Sequence, residues 1–157
     1  MVGATSPPSG IAGTWSGYGP CPHLQVTLGL SQRDPTVTYQ VIDFTNRGSV
    51  TCIIDGYPGV SLAAGSPPAP IGLPAAHNPS APPKPVTLTP GGVANALLQI
   101  TAAHTYAKGS CGPVQAHYLI VYLPNEDRPA KLPYAATGCS KQVRMMQISV
   151  VSRGTGG

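Results

Sequence analysis

Charge is what this chain has least of. Charged residues fill 9% of its 157 positions, against about a quarter in ordinary globular domains. Only five residues are acids. Asp34, Asp43 and Asp55 stand in or beside turns, where Asp is favoured for local hydrogen bonding, and Glu126 and Asp127 are neighbours on one loop. Neither arrangement resembles the carboxylate pair that flanks a glycosidase cleft. The four histidines, His23, His77, His104 and His117, lack i,i+4 or other ligand spacing. No metal site is therefore expected, and no cofactor is implied. There is no phosphate-binding loop and no dinucleotide fingerprint. No Lys/Arg run exists, and the single Trp and single Phe do not alternate with basic residues. A net charge of +4 in that setting is not a nucleic-acid footprint. No apolar run is long enough to span a membrane as a helix. There is no Cys-x-x-Cys, which disfavours a zinc ribbon or a thioredoxin-type site.

Glycine and proline are abundant instead, 19 of each. With no collagen-like period, that density leaves little room for long helices. Hydrophobic residues at 41% are enough for one buried core. The combination predicts many short strands joined by turns and Pro-rich loops.

Residues 1–20 carry no period and many breakers, and read as an irregular arm or linker. Trp15 and Tyr18 within it either lean on the core or serve as a contact site. From His23 to Leu30, Leu24, Val26, Leu28 and Leu30 alternate with Gln25, Thr27 and Gly29, which predicts a half-buried strand. After a turn at Arg33-Asp34-Pro35, residues 36–44 predict the returning strand of an antiparallel hairpin. Its apolar face switches between Val41 and Ile42, which calls for a bulge or burial on both faces. Asn46-Arg47-Gly48 is a turn, and residues 50–54 are a strand. Asp55-Gly56-Tyr57-Pro58-Gly59 is a double punctuation that no helix passes. Another short strand starts at Val60. Residues 64–85 form a Pro-rich surface crossing, partly polyproline II.

Residues 86–101 read as strand, Pro-Gly turn and strand, and residues 102–110 as loop. Val114 to Leu123 is nearly continuous in apolarity, as expected of a central strand. Residues 124–129 make an exposed charged tip. Leu132 to Ala136 is a short edge strand, since Pro133 cannot donate to a ladder. Val143 to Ser152 closes the domain, with Met146, Ile148 and Val150 on one face. The expected fold is all-β, an antiparallel immunoglobulin-like sandwich of about eight or nine short strands with two disulfides. The domain is expected over residues 21–153, with a tail at 154–157.

Strand order also predicts the cystines. The second strand returns antiparallel to the first, so Cys52, one turn beyond it, lies near Cys21 at the start of the first. By the same logic the strand leaving Cys111 is answered by a returning segment that ends near Cys139. The pairs are Cys21–Cys52 and Cys111–Cys139, each closing a loop of about thirty residues that contributes about 3–4 kcal/mol. Paired cysteines with low charge favour an extracytoplasmic protein, secreted or associated with the cell envelope. The first residues lack the charged start and apolar middle of an export signal, so such a signal is expected to lie outside this chain.

The run FTNRGSVTCIIDGYPGVSL, the later VTLTPGGVANALLQI, the Cys-x-Pro at Cys111 and the late Cys139 resemble the actinobacterial domain of unknown function 4232. Phe44, Asn46, Gly48, Cys52, Gly56, Tyr57, Pro58, Gly59, Leu88, Pro90, Gly91, Ala94 and Pro113 carry the likeness with the cysteines. The resemblance implies a secreted or lipid-anchored envelope protein with a β-sandwich fold. It lends no activity and no catalytic residues. No cysteine precedes Cys21, so any lipid anchor lies outside this chain.

No catalytic residues are expected. Gly59-Val-Ser61-Leu-Ala63 lacks the last Gly of a nucleophile elbow, and Cys111 reads as a cystine half rather than a nucleophile. The first expectation is a non-catalytic module that binds a protein, glycan or lipid of the envelope. Its contacts are expected at Trp15, Tyr18, Asp55, Tyr57, Pro58, Asn125 and Arg128, on loops of a stapled scaffold. The alternatives are a structural spacer in an envelope assembly, and a hydrolase-type enzyme with a loop-built cleft using His104 or His117.

Overall fold

The computed structural model describes residues 18–124 and 129–155. Strand β1 (Leu24–Arg33) and strand β2 (Val37–Asn46) form the expected antiparallel hairpin. The turn closes where the Asp34 amide donates to the Val37 carbonyl at 2.8 Å. Leu24, Val26 and Leu28 lean on the core, as their alternation required, but Leu30, expected on the same face, falls within the slip of the ladder and is 64% exposed. The ladder slips between Leu28 and Ser31. Gly29 occupies that slip because a side chain would not fit: a Cβ there would stand 2.7 Å from Asp43 Oδ2. Buried Gln40 fills the irregularity, its Nε2 donating to the carbonyls of Gly29 at 3.1 Å and Val41 at 2.8 Å. The apolar switch at Val41–Ile42 has its explanation here. Both residues are buried, one on each face of β2, and the bulge lies on β1 rather than on β2.

Ten further strand segments follow among the described residues: β3 (Cys52–Ile54), β4 (Gly59–Ala64), β5 (Ala69–Pro70), β6 (Ala76–His77), β7 (Val86–Leu88), β8 (Val93–Thr101), β9 (Pro113–Tyr122), β10 (Pro129–Cys139), β11 (Met146–Ile148) and β12 (Ser152–Arg153). One sheet runs β1-β2-β8-β11-β6, with β12 also paired to β8. A second runs β10-β9-β4-β5, and β3 pairs β7 in a two-stranded third. All these pairs are antiparallel except β11 with β6. Side chains from all three sheets meet in one core: Ile42, Phe44, Ala96, Leu98 and Ile148 from the first, Leu62, Leu119 and Val121 from the second, Ile54 and Leu88 from the third. Burying each Leu, Ile or Phe there contributes about 1.5–3 kcal/mol relative to exposure.

Asn46, fully buried, ties the sheets at one corner. Its Nδ2 donates to the carbonyls of Val50 at 2.9 Å and Leu88 at 3.0 Å, and its Oδ1 accepts the Gly48 amide at 2.9 Å. The two cystines sit at opposite ends of β1 and β9. Cys21–Cys52 has a Cα separation of 4.9 Å and Cys111–Cys139 one of 4.5 Å, the connectivity that strand order implied.

Residues 86–101 are strand, turn and strand as expected, with β7 paired to β3 and β8 to β2. Several local expectations are corrected. Residues 102–110 are not plain loop. They hold a 3-10 turn (Ala103–Thr105) and one turn of helix, α1 (Lys108–Cys111). The Pro-rich crossing contributes the two-residue strands β5 and β6. The short edge strand at 132–136 is eleven residues long, spanning Pro129–Cys139. It does lie at a sheet edge, where Pro133 costs no ladder bond. In β9, Ala116, Leu119 and Val121 are all buried in the core, and the ladder to β10 slips at Pro133–Ala136.

Candidate functional site

The ends of the strands carry two cavities of different chemistry. The larger, about 460 Å³, lies at the Cys111–Cys139 end. Its inner lining is mostly apolar, with Ile100 at the end of β8, Ala103 in the 3-10 turn and Ala136 on β10 beside Thr38 and Thr101, and the exposed Pro113 opening β9 stands at its edge. Its rim carries Arg33, the last residue of β1, His104 and Lys108, with the rings of Tyr106 and Tyr134 between. No acid lines it. The volume falls in the roughly 300–1,000 Å³ range of small-molecule sites, whose apolar lining and few polar groups it shares.

Local chemistry places each rim group. The 3-10 turn forms because the Tyr106 amide donates to the Ala103 carbonyl at 3.1 Å and the Thr105 hydroxyl to the Ala102 carbonyl at 2.8 Å. Helix α1 stops at Gly112, whose φ of 61° is left-handed and whose amide donates to the Lys108 carbonyl at 2.8 Å. That stop turns the chain from α1 into β9 and holds Lys108 at the mouth. The His104 Nε2 lies 3.0 Å from the Pro35 carbonyl, so it carries the proton and donates. Arg33 and Lys108 have no side-chain hydrogen bond or salt bridge among the described residues. Burial pushes the Tyr134 hydroxyl pKa up, and the nearby Arg33 guanidinium opposes that shift in part.

The smaller cavity, about 310 Å³, lies at the Cys21–Cys52 end. It brings together Tyr18 and Asp55, two of the contact residues expected from sequence, with Leu24, Ile53 and Pro124. Tyr18 is 50% exposed. Trp15, Asn125 and Arg128 lie outside the described residues. Pro58 does not fit the contact role expected of it, because it is fully buried. Tyr57 is half-buried against the core, and its hydroxyl donates to the Asn78 carbonyl at 2.8 Å. The Gly-Tyr-Pro-Gly turn is thus tied inward, and it is held again by the Val151 amide donating to the Gly56 carbonyl at 3.0 Å. His117, the other candidate base, is exposed on β9 away from both cavities. Among the described residues no three His, Cys, Asp or Glu side chains converge as a metal site would require.

Sequence reasoning singled out His104 at the larger cavity but not Arg33, Tyr106, Lys108 or Tyr134. Arg33 ends β1 and Tyr134 lies on β10, while Tyr106 and Lys108 follow His104 at two-residue steps through the 3-10 turn and the start of α1. The one local signal was the position of Arg33 at a strand end before Asp34-Pro35.

These features define a disulfide-stapled β domain with an apolar, cation-rimmed cleft at one end. The chain belongs to the family described as Domain of unknown function (DUF4232), whose pattern matches residues 21–152 and so includes both cystines and every cleft residue. No curated protein matches the chain. Among the described residues no helix is long and apolar enough to cross a membrane.

Proposed function

We propose that the protein is a non-catalytic, extracytoplasmic binding module built on an immunoglobulin-like β-sandwich, and that the cleft at the Cys111–Cys139 end is where its envelope partner is held. The single observation that carries this reading is the pairing of an apolar floor with Arg33 and Lys108, two cations whose side chains make no hydrogen bond or salt bridge among the described residues. They offer a ready recognition group for a ligand. Two cystines support an oxidising compartment.

The non-catalytic part of the proposal rests on the lining. Among the described residues His104 has no carboxylate beside it in the cleft to act as its orienting partner, and the side-chain hydroxyls there belong to three threonines and two tyrosines. The cavity with Tyr18 and Asp55 is a second contact surface on this account.

Immobilised protein challenged with separate protein, glycan and lipid fractions of a cell envelope tests the reading. Saturable retention from one fraction, lost when Ala136→Phe plugs the cleft and kept in Tyr18→Ala, is the expected result. Retention that ignores both changes, or stoichiometric labelling of one residue by a serine- or cysteine-reactive activity probe, contradicts it.

A further inference from the structure

The cleft specifies the chemistry of its occupant. We propose that it takes a single-chain amphiphile with a carboxylate head, a long-chain fatty acid, with the alkyl chain on the Ile100–Ala103–Ala136 floor and the carboxylate between Arg33 and Lys108. The inference rests on the binding-module reading above and names its ligand class.

Three observations converge. First, the floor offers aliphatic surface between the lining threonines: Ile100 and Ala103 are buried, and Ala136, like Thr38 and Thr101, is partly so. An alkyl chain laid on that aliphatic strip gains by leaving water. Second, the rim is cationic without an acid. Arg33 presents a planar fork suited to two carboxylate oxygens, and Lys108 a mobile point charge. Asp34, next to Arg33 in sequence, neither lines the cleft nor forms a salt bridge with it. Third, the Tyr134 hydroxyl stands in the same site within electrostatic reach of Arg33. It is a neutral donor suited to the same carboxylate. A 460 Å³ space accepts one chain, at the lower end of the small-molecule range.

Displacement of a fluorescent fatty acid from the purified, oxidised full chain tests this. A series of saturated fatty acids is titrated beside the matching alcohols and methyl esters. Affinity for the acids is expected to rise about four-fold per added methylene until the cleft is full. The alcohols and esters are expected to bind at least ten-fold more weakly. Arg33→Gln, a change at an exposed strand end that leaves the core intact, is expected to bring the acids down to the level of the esters. Ala136→Phe is expected to abolish binding of all three. Equal binding of acid and ester, or an acid affinity unchanged in Arg33→Gln, overturns the proposal. So does preferential displacement by an apolar peptide bearing a free carboxyl terminus. If no fatty acid binds while an envelope fraction is still retained in an Ala136-dependent way, the ligand class is wrong and the module reading stands. If neither binds, both fall.

Discussion

The ring of Tyr57 lies flat on the imidazole of His77, with centroids 3.9 Å apart and planes 7° from parallel. The stack joins the turn after β3 to β6 across the Pro-rich crossing. The Tyr57 hydroxyl adds a bond to the carbonyl of Asn78, the next residue. That arrangement gives the Gly-Tyr-Pro-Gly element a structural task. It clamps the longest irregular segment of the chain to the core.

Removing the clamp in steps is informative. Tyr57→Phe keeps the stack and loses the hydroxyl bond, for an expected cost of about 1 kcal/mol. Tyr57→Ala loses the ring as well, and about 3 kcal/mol is expected. Urea unfolding of the three proteins measures both steps. Equal stability of all three would mean that the turn is held by its backbone bonds alone.

Asn46 supplies a sharper case. Its amide gives two donors to carbonyls and its oxygen accepts one amide, all in a fully buried corner. Asn46→Asp preserves shape but sets carboxylate oxygens against the carbonyls of Val50 and Leu88. A loss of about 3 kcal/mol or more is expected at neutral pH. The buried carboxyl pKa of that variant would rise above its unfolded value. Its lost stability should therefore return in part as pH falls to about 4, where the wild type gains nothing at this position. Unfolding curves at two pH values check the sign.

The cystines close loops with sequence separations of 31 and 28. Each is expected to contribute about 3–4 kcal/mol through the unfolded chain. Cys21→Ser with Cys52→Ser, and separately Cys111→Ser with Cys139→Ser, should each lower the unfolding midpoint by similar amounts. The second pair carries a further consequence, because Cys111 anchors α1 and β10 beside the cleft. Its loss should weaken ligand binding where loss of the first does not.

Tyr134 gives a pH prediction for the wild type. Burial raises its pKa above the ordinary value of 10.0, so folding favours the neutral phenol. The unfolded chain loses its proton first. The stability linked to this group is therefore complete below pH 10.0 and falls as pH rises through the folded-state value. Tyr134→Phe should flatten that alkaline decline. Absorbance titration near 295 nm should show one tyrosine ionising late in wild type and none in the variant.

Much of the framework was legible in the residues. Period-two alternation from Leu24 to Leu28, and in the Val93–Thr101 run, located β1 and β8, because one buried face imposes it. Antiparallel return placed Cys52 near Cys21. What escaped was non-local or below nucleation length. Nothing within residues 86–88 announces that β7 pairs β3 rather than β8, since both partners satisfy the same alternation. Four residues of helix at Lys108–Cys111 carry no period, and tertiary anchoring through Cys111 holds them. Pro129 and Pro133 read as breakers, yet an edge strand does not use every amide and accommodates both. The cleft was invisible for a related reason. Arg33, Tyr134 and the Tyr106–Lys108 segment are far apart in sequence, and only the fold assembles them. The reverse error was Pro58, whose place in a turn suggested exposure while its side chain fills the core.

The most direct test of the account is an amide-shift map of isotope-labelled protein titrated with fractionated envelope extract. Saturable shifts confined to residues 33–38, 100–108 and 134–137, with no chemical change in the bound material, are the predicted result. Shifts confined to the end that holds Tyr18 and Asp55, no shift from any fraction, or turnover of a component would contradict it.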